Sequence, residues 1–177
     1  NHNQDLSYER EITIEPISPV FTQIPAIFTK TKIYTNFDNH DQFSSFDPDL
    51  SDGICLIKGE DLLLNLGIHP YAFLAQDKEN IIIEHFKKQL YYLKEYPPDK
   101  PVFYRFSDLQ SSLLFTLSQA HEFENIEGIP LLGLRGSLRH MQQPKLLATE
   151  LKSIKNLFKQ NQLNLVLPFF RINEELS

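Results

Sequence analysis

A chain of 177 residues fits one domain on a scale of about 100–200 residues per domain, and its 41% hydrophobic content is enough for a core. A net charge of −6 argues against a nucleic-acid partner, whose phosphates call for a basic face. One cysteine, Cys55, excludes an internal disulfide and a Cys-based zinc site, and no run of about 18 apolar residues exists to cross a membrane. A reducing, cytoplasmic setting fits. Residues 1–10 are polar, without the apolar stretch of a secretory signal, and the first residue is not Met, so a fragment or processed piece of a longer protein is expected.

Residues 1–30 read as a linker with short extended pieces. Pro16, Pro19 and Pro25 forbid a long helix, and EITIEPI (11–17) alternates as an edge strand does. KIYTN (32–36) is a short β-rich run. The segment 37–53 is dense in Asp, Asn, Ser and Pro, which is turn chemistry with room for one short helical turn. GICLI (53–57) has the compact apolar form of a buried strand, ended by Lys58, Gly59 and Glu60. Cys55 lies in mid-strand and reads as an inert core thiol. DLLLNL (61–66) predicts a short helix, broken at GIHP (67–70).

In 79–95, Ile82, Phe86, Leu90 and Leu93 recur at steps of three and four, which predicts one amphipathic helix ended by Pro97 and Pro98. PVFYRF (101–106) is a strand by its aromatic and β-branched content. Ser107 and Asp108 then fit the N-cap of a helix over 109–120. A polar stretch, 121–128, leads into IPLLGLRGSLR (129–139). It combines a strand-like apolar entry with an arginine, Arg135, flanked by Gly133 and Gly136. Glycines there let the backbone turn sharply and approach a ligand, and a guanidinium can bond two oxygens of a phosphate or carboxylate at once. A surface turn with two solvated arginines explains the same residues. A helix is predicted over 144–160, with Pro144 in its first turn and Leu147, Leu151, Ile154 and Phe158 on one face. LNLVLP (163–168) is a further buried-type strand. Phe169, Phe170 and Arg171 close it, and Asn173 opens another helix.

Strands alternating with helices predict an α/β fold with a parallel sheet of βα units. Ligands of such sheets bind at the carboxyl ends of the strands. The candidates there are Asn36, Lys58 with Glu60, Arg105 with Asp108, Arg135 with Arg139, and Arg171. Gathered on one rim, the cations make a site for a small, multiply charged anion. Each has a plain structural reading too. Lys58 can be solvated, Asp108 can be a helix cap, and Glu60 and Arg171 can be ion-pair partners. Arg105, inside an apolar strand, is the hardest to explain as a surface charge. The six histidines are scattered without metal-ligand spacing, and no HExxH, GxSxG or GxxxxGK[ST] motif is present.

Seven segments together resemble the first half of the C-terminal PEP-binding barrel of PEP-utilising enzymes. They are TKIYTN (31–36), DGICLIKGE (52–60), LGIHPYAFL (66–74), PVFYRFSDL (101–109), PLLGLRGSLR (130–139), ELKSIKNL (150–157) and LNLVLPFFRINEEL (163–176). That family includes phosphoenolpyruvate synthase, the nearest, with pyruvate phosphate dikinase and enzyme I of the sugar phosphotransferase system. The resemblance implies a partial (β/α)8 barrel of about four parallel strands over 31–177, after an N-terminal segment 1–30. It implies PEP or a pyruvate-like anion as ligand. Arg105 and Arg135 match two of the family's PEP-gripping arginines, Lys58 stands where a third is expected, and Glu60 matches.

Asn36, Asp108, Arg139 and Arg171 are the supporting residues. Mg2+ is implied, but the family's metal ligands, its late cysteine and its phosphoryl-carrying histidine have no counterpart in this chain. No catalytic or metal-binding residue is therefore assigned. The expected function is PEP binding within a phosphotransferase that moves a phosphoryl group reversibly between PEP and an enzyme histidine, with this chain inactive alone. A second barrel half, a homodimer partner or residues 1–30 folding over an edge is expected to cover the open sheet. The alternatives are a degenerate, non-catalytic module that binds a small anion or a partner, and a structural α/β domain without a ligand.

Overall fold

The computed structural model describes residues 30–37, 46–155 and 163–176. The expected edge strand at 11–17, nearly all of the 1–30 segment, and the end of the 144–160 helix with Phe158 lie outside the described residues.

Four strands form one sheet: β1 (Tyr34–Thr35), β2 (Gly53–Lys58), β3 (Val102–Arg105) and β4 (Leu163–Val166). Their order in the sheet is their order in the chain, and every pair is parallel. Parallel neighbours need a crossover between them, and helical segments supply it from β2 to β3 and from β3 to β4. The helices are α1 (Gly59–Leu64), α2 (Pro70–Leu74), α3 (Glu79–Gln89), α4 (Ser111–Leu114), α5 (Gly136–Gln142) and α6 (Pro144–Lys155). The result is the predicted α/β architecture, a partial (β/α)8-type barrel.

One face of the sheet carries the core. Ile54, Ile57, Val102 and Tyr104 point from β2 and β3 into a cluster with Ile82 and Phe86 of α3 and Leu146 and Ile154 of α6. Burying each such apolar side chain contributes about 1.5–3 kcal/mol, so this layer fixes which way the strands face. Strand side chains alternate, so the neighbouring positions point the other way, and a register shift between Cys55 and Ile57 brings Ile57 back to the face of Ile54. There Cys55 pairs in register with Phe103, and Lys58 with Arg105. Tyr34 reaches across Gly53 to meet Phe103 edge-on, with ring centroids 5.7 Å apart. A Cβ at Gly53 would lie 2.6 Å from the Tyr34 ring. On this second face Cys55 is exposed. The expectation of a core thiol is therefore corrected: its position in β2 turns Cys55 away from the helices.

Four local expectations also change. The 79–95 helix ends at Gln89, and a 3-10 turn covers Tyr91–Glu95. Residues three apart eclipse in a 3-10 turn, so Leu90 and Leu93 both stay buried. The helix expected over 109–120 shrinks to α4, because tertiary partners take the groups of Ser107 and Asp108 that would cap it. The apolar entry at 129–133 forms no strand. It holds a 3-10 turn, Pro130–Leu132, with Ile129, Leu131 and Leu132 exposed. Finally, α6 buries Leu146, Thr149, Glu150, Ser153 and Ile154, while Leu151 is exposed. Its inward face includes two hydroxyls and a carboxyl, which apolar periodicity does not register.

Candidate anion-binding site

The sheet register puts Lys58 and Arg105 side by side at the carboxyl ends of β2 and β3. The chain then turns into α1, which delivers Glu60 to the same rim. Arg105 NH2 donates to Glu60 Oε1, and the Asp108 backbone N–H donates to Glu60 Oε2 at 3.3 Å. Arg105 Nε has no hydrogen-bond partner, which leaves a donor of this guanidinium unspent. Lys58 Nζ lies 3.8 Å from Asp61 Oδ2.

Arg135 arrives from the other side. It is the extended N-cap residue of α5, with φ −155° and ψ 168°. Its guanidinium donates to Asp108 from Nε at 3.0 Å and from NH2 at 2.5 Å. These bonds hold the guanidinium charged and raise its pKa. Its plane lies 3.9 Å from the centre of the Phe169 ring, a cation–π contact. With the Gln110 amide oxygen turned toward it, Gln110 accepts from NH1 at 2.9 Å and NH2 at 3.0 Å. The turn that presents Arg135 depends on Gly136, whose φ is +54° and whose Cβ would lie 2.5 Å from the Phe169 Cβ. Ser137 completes the seam, donating from N and Oγ to the Pro168 carbonyl at 3.0 and 2.8 Å.

Lys58, Glu60, Arg105, Asp108 and Arg135 thus gather on one rim, joined through Glu60 and Asp108. Three other expected residues do not join them. Asn36 Oδ1 accepts from the Leu56 N–H at 3.1 Å, stitching the chain after β1 to β2. Arg171 pairs with Glu175 at 3.0 Å. Arg139 is fully buried, donating to Glu124 at 2.6 and 3.0 Å, to Ser111 Oγ at 2.9 Å and to the Leu109 and Leu134 carbonyls. Glu124 also meets His69 Nε2 at 3.2 Å. Burial alone would raise the Glu124 pKa, but the hydrogen bonds from His69 and Arg139 override it and bring it to about 2.

Sequence reasoning missed Phe169 as the platform under Arg135, Gln110, and Glu150 behind the rim. An aromatic pair after a strand was visible, but its partner lies more than thirty residues away in the chain.

The Mg2+ that the resemblance implies is not matched by these residues. Among the described residues no three His, Cys, Asp or Glu side chains gather as a metal-binding group. Glu60 and Asp108 face arginines instead.

The family described as "PEP-utilising enzyme, PEP-binding domain" matches residues 19–177. The chain is 29% identical over 128 residues to a probable phosphoenolpyruvate synthase of Methanothermobacter thermautotrophicus, covering 71% of this chain and 19% of that protein. It is 30% identical over 128 residues to the phosphoenolpyruvate synthase of Pyrococcus furiosus, covering 71% of this chain and 16% of that protein. It is 30% identical over 146 residues to a probable phosphoenolpyruvate synthase of Methanocaldococcus jannaschii, covering 82% of this chain and 12% of that protein. The chain thus spans a fifth or less of the length of these curated relatives. By that family match over most of its length, and with its sheet of consecutive parallel strands, the chain belongs to the PEP-utilising enzyme family, within the PEP-binding domain.

Proposed function

We propose that the rim formed by Lys58, Arg105 and Arg135 binds phosphoenolpyruvate, or a pyruvate-like anion, through its phosphate and carboxylate. The observation that carries this reading is the linked pair of guanidiniums. Arg105 and Arg135 come from different βα units and are held at one strand-end rim through Glu60 and Asp108. Two guanidiniums held in fixed positions present two positive charges to the oxygens of one small ligand. Lys58, beside Arg105, adds a point charge. The rim would serve reversible transfer of a phosphoryl group between PEP and a histidine carried elsewhere in the enzyme, with Mg2+ held by groups outside the described residues. Residues 1–30 act as the segment leading into this domain. The single cysteine and the soluble, anionic substrate fit a cytoplasmic setting.

One observation favours a second reading, a non-catalytic anion-binding module. Lys58 stands where the family resemblance calls for an arginine, and an ammonium has no bidentate fork. Isothermal titration of PEP into the protein, with and without Mg2+, tests the site. Saturable binding that Arg135→Ala weakens supports the anion rim. No saturable binding, or binding indifferent to Arg135→Ala, refutes it. Conversion of PEP to pyruvate on adding an unphosphorylated histidine acceptor, which takes up the phosphoryl group, separates the enzymatic reading from the module.

A further inference from the structure

Glu150 of α6 is fully buried, and the donors on its carboxyl group are not the strand-end cations. Tyr104 Oη donates to Oε1 at 2.6 Å, the Ser107 backbone N–H donates to the same oxygen at 2.9 Å, and Ser107 Oγ donates to Oε2 at 2.9 Å. Two of the three donors belong to Ser107, the residue immediately before Asp108. The carboxyl therefore holds the turn after β3 by its backbone and by its side chain. Asp108, one residue on, holds Arg135 through its carboxylate and Glu60 through its N–H. On the opposite flank is Gly59, between Lys58 and Glu60. A Cβ there would collide with Glu150 Oε1 and lie 2.7 Å from Tyr104 Oη and 2.8 Å from the Ser107 nitrogen. The carboxyl is thus wedged under both strand-end turns that carry the rim.

We propose that Glu150 is a positioning residue for the anion site, locking the Ser107–Asp108 turn so that Arg135 and the Glu60–Arg105 pair face one ligand. This rests on the anion-site reading above. A buried carboxyl with no cation against it is a costly choice for a helix face that could have been apolar. Its titratable neighbours are Tyr104 on β3 and Glu60 on α1, while His140 of α5 lies beside the same Ser107 turn. Burial pushes the Glu150 pKa up to about 7 even though Tyr104 and Ser107 pull it down. What the side chain supplies in return is two acceptor oxygens aimed at one turn.

The test compares Glu150→Ala, Glu150→Gln and Ser107→Ala by PEP titration, with circular dichroism confirming that each is folded at the working temperature. Glutamine keeps an acceptor for Ser107 N and Tyr104 and offers its amide nitrogen to Ser107 Oγ. Glu150→Gln should bind PEP within about threefold of the unsubstituted protein, while Glu150→Ala loses about tenfold or more, as sub-ångström misplacement of site groups does. A residue that merely supports the fold would lower stability in Glu150→Ala without lowering the affinity of the folded protein. Binding by folded Glu150→Ala at unchanged affinity overturns the proposal. If Glu150→Ala fails to fold, Ser107→Ala decides: loss of clearly more than about threefold supports the proposal, and affinity within about threefold overturns it. If the unsubstituted protein binds no PEP, the anion reading falls separately. The Asp108 amide resonance then decides on positioning. It should move in Ser107→Ala and hold in Glu150→Gln, and an unmoved resonance in Ser107→Ala overturns the proposal.

Discussion

Asp108 grips Arg135 with two parallel hydrogen bonds, Nε to Oδ1 at 3.0 Å and NH2 to Oδ2 at 2.5 Å, while its own backbone N–H donates to Glu60 at 3.3 Å. One aspartate thereby aligns both arginines of the rim. Asp108→Ala should leave the Arg135 guanidinium charged, mostly buried and undirected. Stability should fall by roughly 3 kcal/mol, the lower end for breaking a buried pair, because the guanidinium retains some solvent contact. PEP affinity should fall about tenfold, since the donors no longer converge. Urea unfolding and calorimetric titration measure the two effects. A drop in stability with intact affinity would show that the pair only braces the fold.

Lys58→Arg should strengthen anion binding. The substituted position lies beside Arg105 in register, so a third fork would share the rim. Replacing a point charge by a bidentate donor should improve PEP affinity by about tenfold, near the lower end of one added charge-assisted hydrogen bond. Unchanged or weaker binding would mean that position 58 does not reach the ligand.

Arg139, expected as a site residue, should behave as a structural one. Its guanidinium is fully buried against Glu124, with Ser111 and two carbonyls completing its bonds. Arg139→Met should destabilise by about 3–5 kcal/mol, because it strands the Glu124 carboxylate. Removing Glu124 in the same protein should cost less than the sum of the single changes, with a coupling of about 0.5–3 kcal/mol in a double-mutant cycle. Additive losses would show that the two side chains do not act as a pair.

Stability should fall on both sides of a mildly acidic optimum. Glu150 has a folded pKa of about 7, above its ordinary 4.5, through burial. Its contribution is fully present below pH 4.5 and is lost as pH rises through about 7. Glu124 has a folded pKa of about 2, below 4.5, because His69 and Arg139 outweigh burial. Its contribution is present above pH 4.5 and is lost as pH falls toward 2. Each shift amounts to about 3 kcal/mol at 1.36 kcal/mol per pKa unit. Urea midpoints from pH 3 to 9 should trace both limbs. Glu150→Gln should flatten the alkaline limb and Glu124→Gln the acid limb. An alkaline limb that survives Glu150→Gln would assign it to another group.

The sequence by itself determined the sheet. Four β-rich runs, the later ones separated by helical periodicities, leave a parallel arrangement as the simplest solution, and Lys58 and Arg105 fall at strand ends by position alone, whereas the strand expected before Arg135 does not form. Glycine beside Arg135 marked a backbone turn, and Gly136 does adopt φ +54° there. The tertiary structure decided which charges meet. Arg135 and Arg139 are one helical turn apart, and nothing local shows which partner each will find. One faces Phe169 and Asp108 on the rim, and the other is sealed against Glu124. Ser107 and Asp108 read as a helix cap because local hydrogen bonding is all that a sequence window contains. In the fold, Glu150 lies 43 residues from Ser107 and Arg135 lies 27 residues from Asp108, and these distant groups win the same donors and acceptors. Apolar periodicity fixes the faces of strands and helices, whereas pairing among polar groups depends on distances that only the packed chain sets.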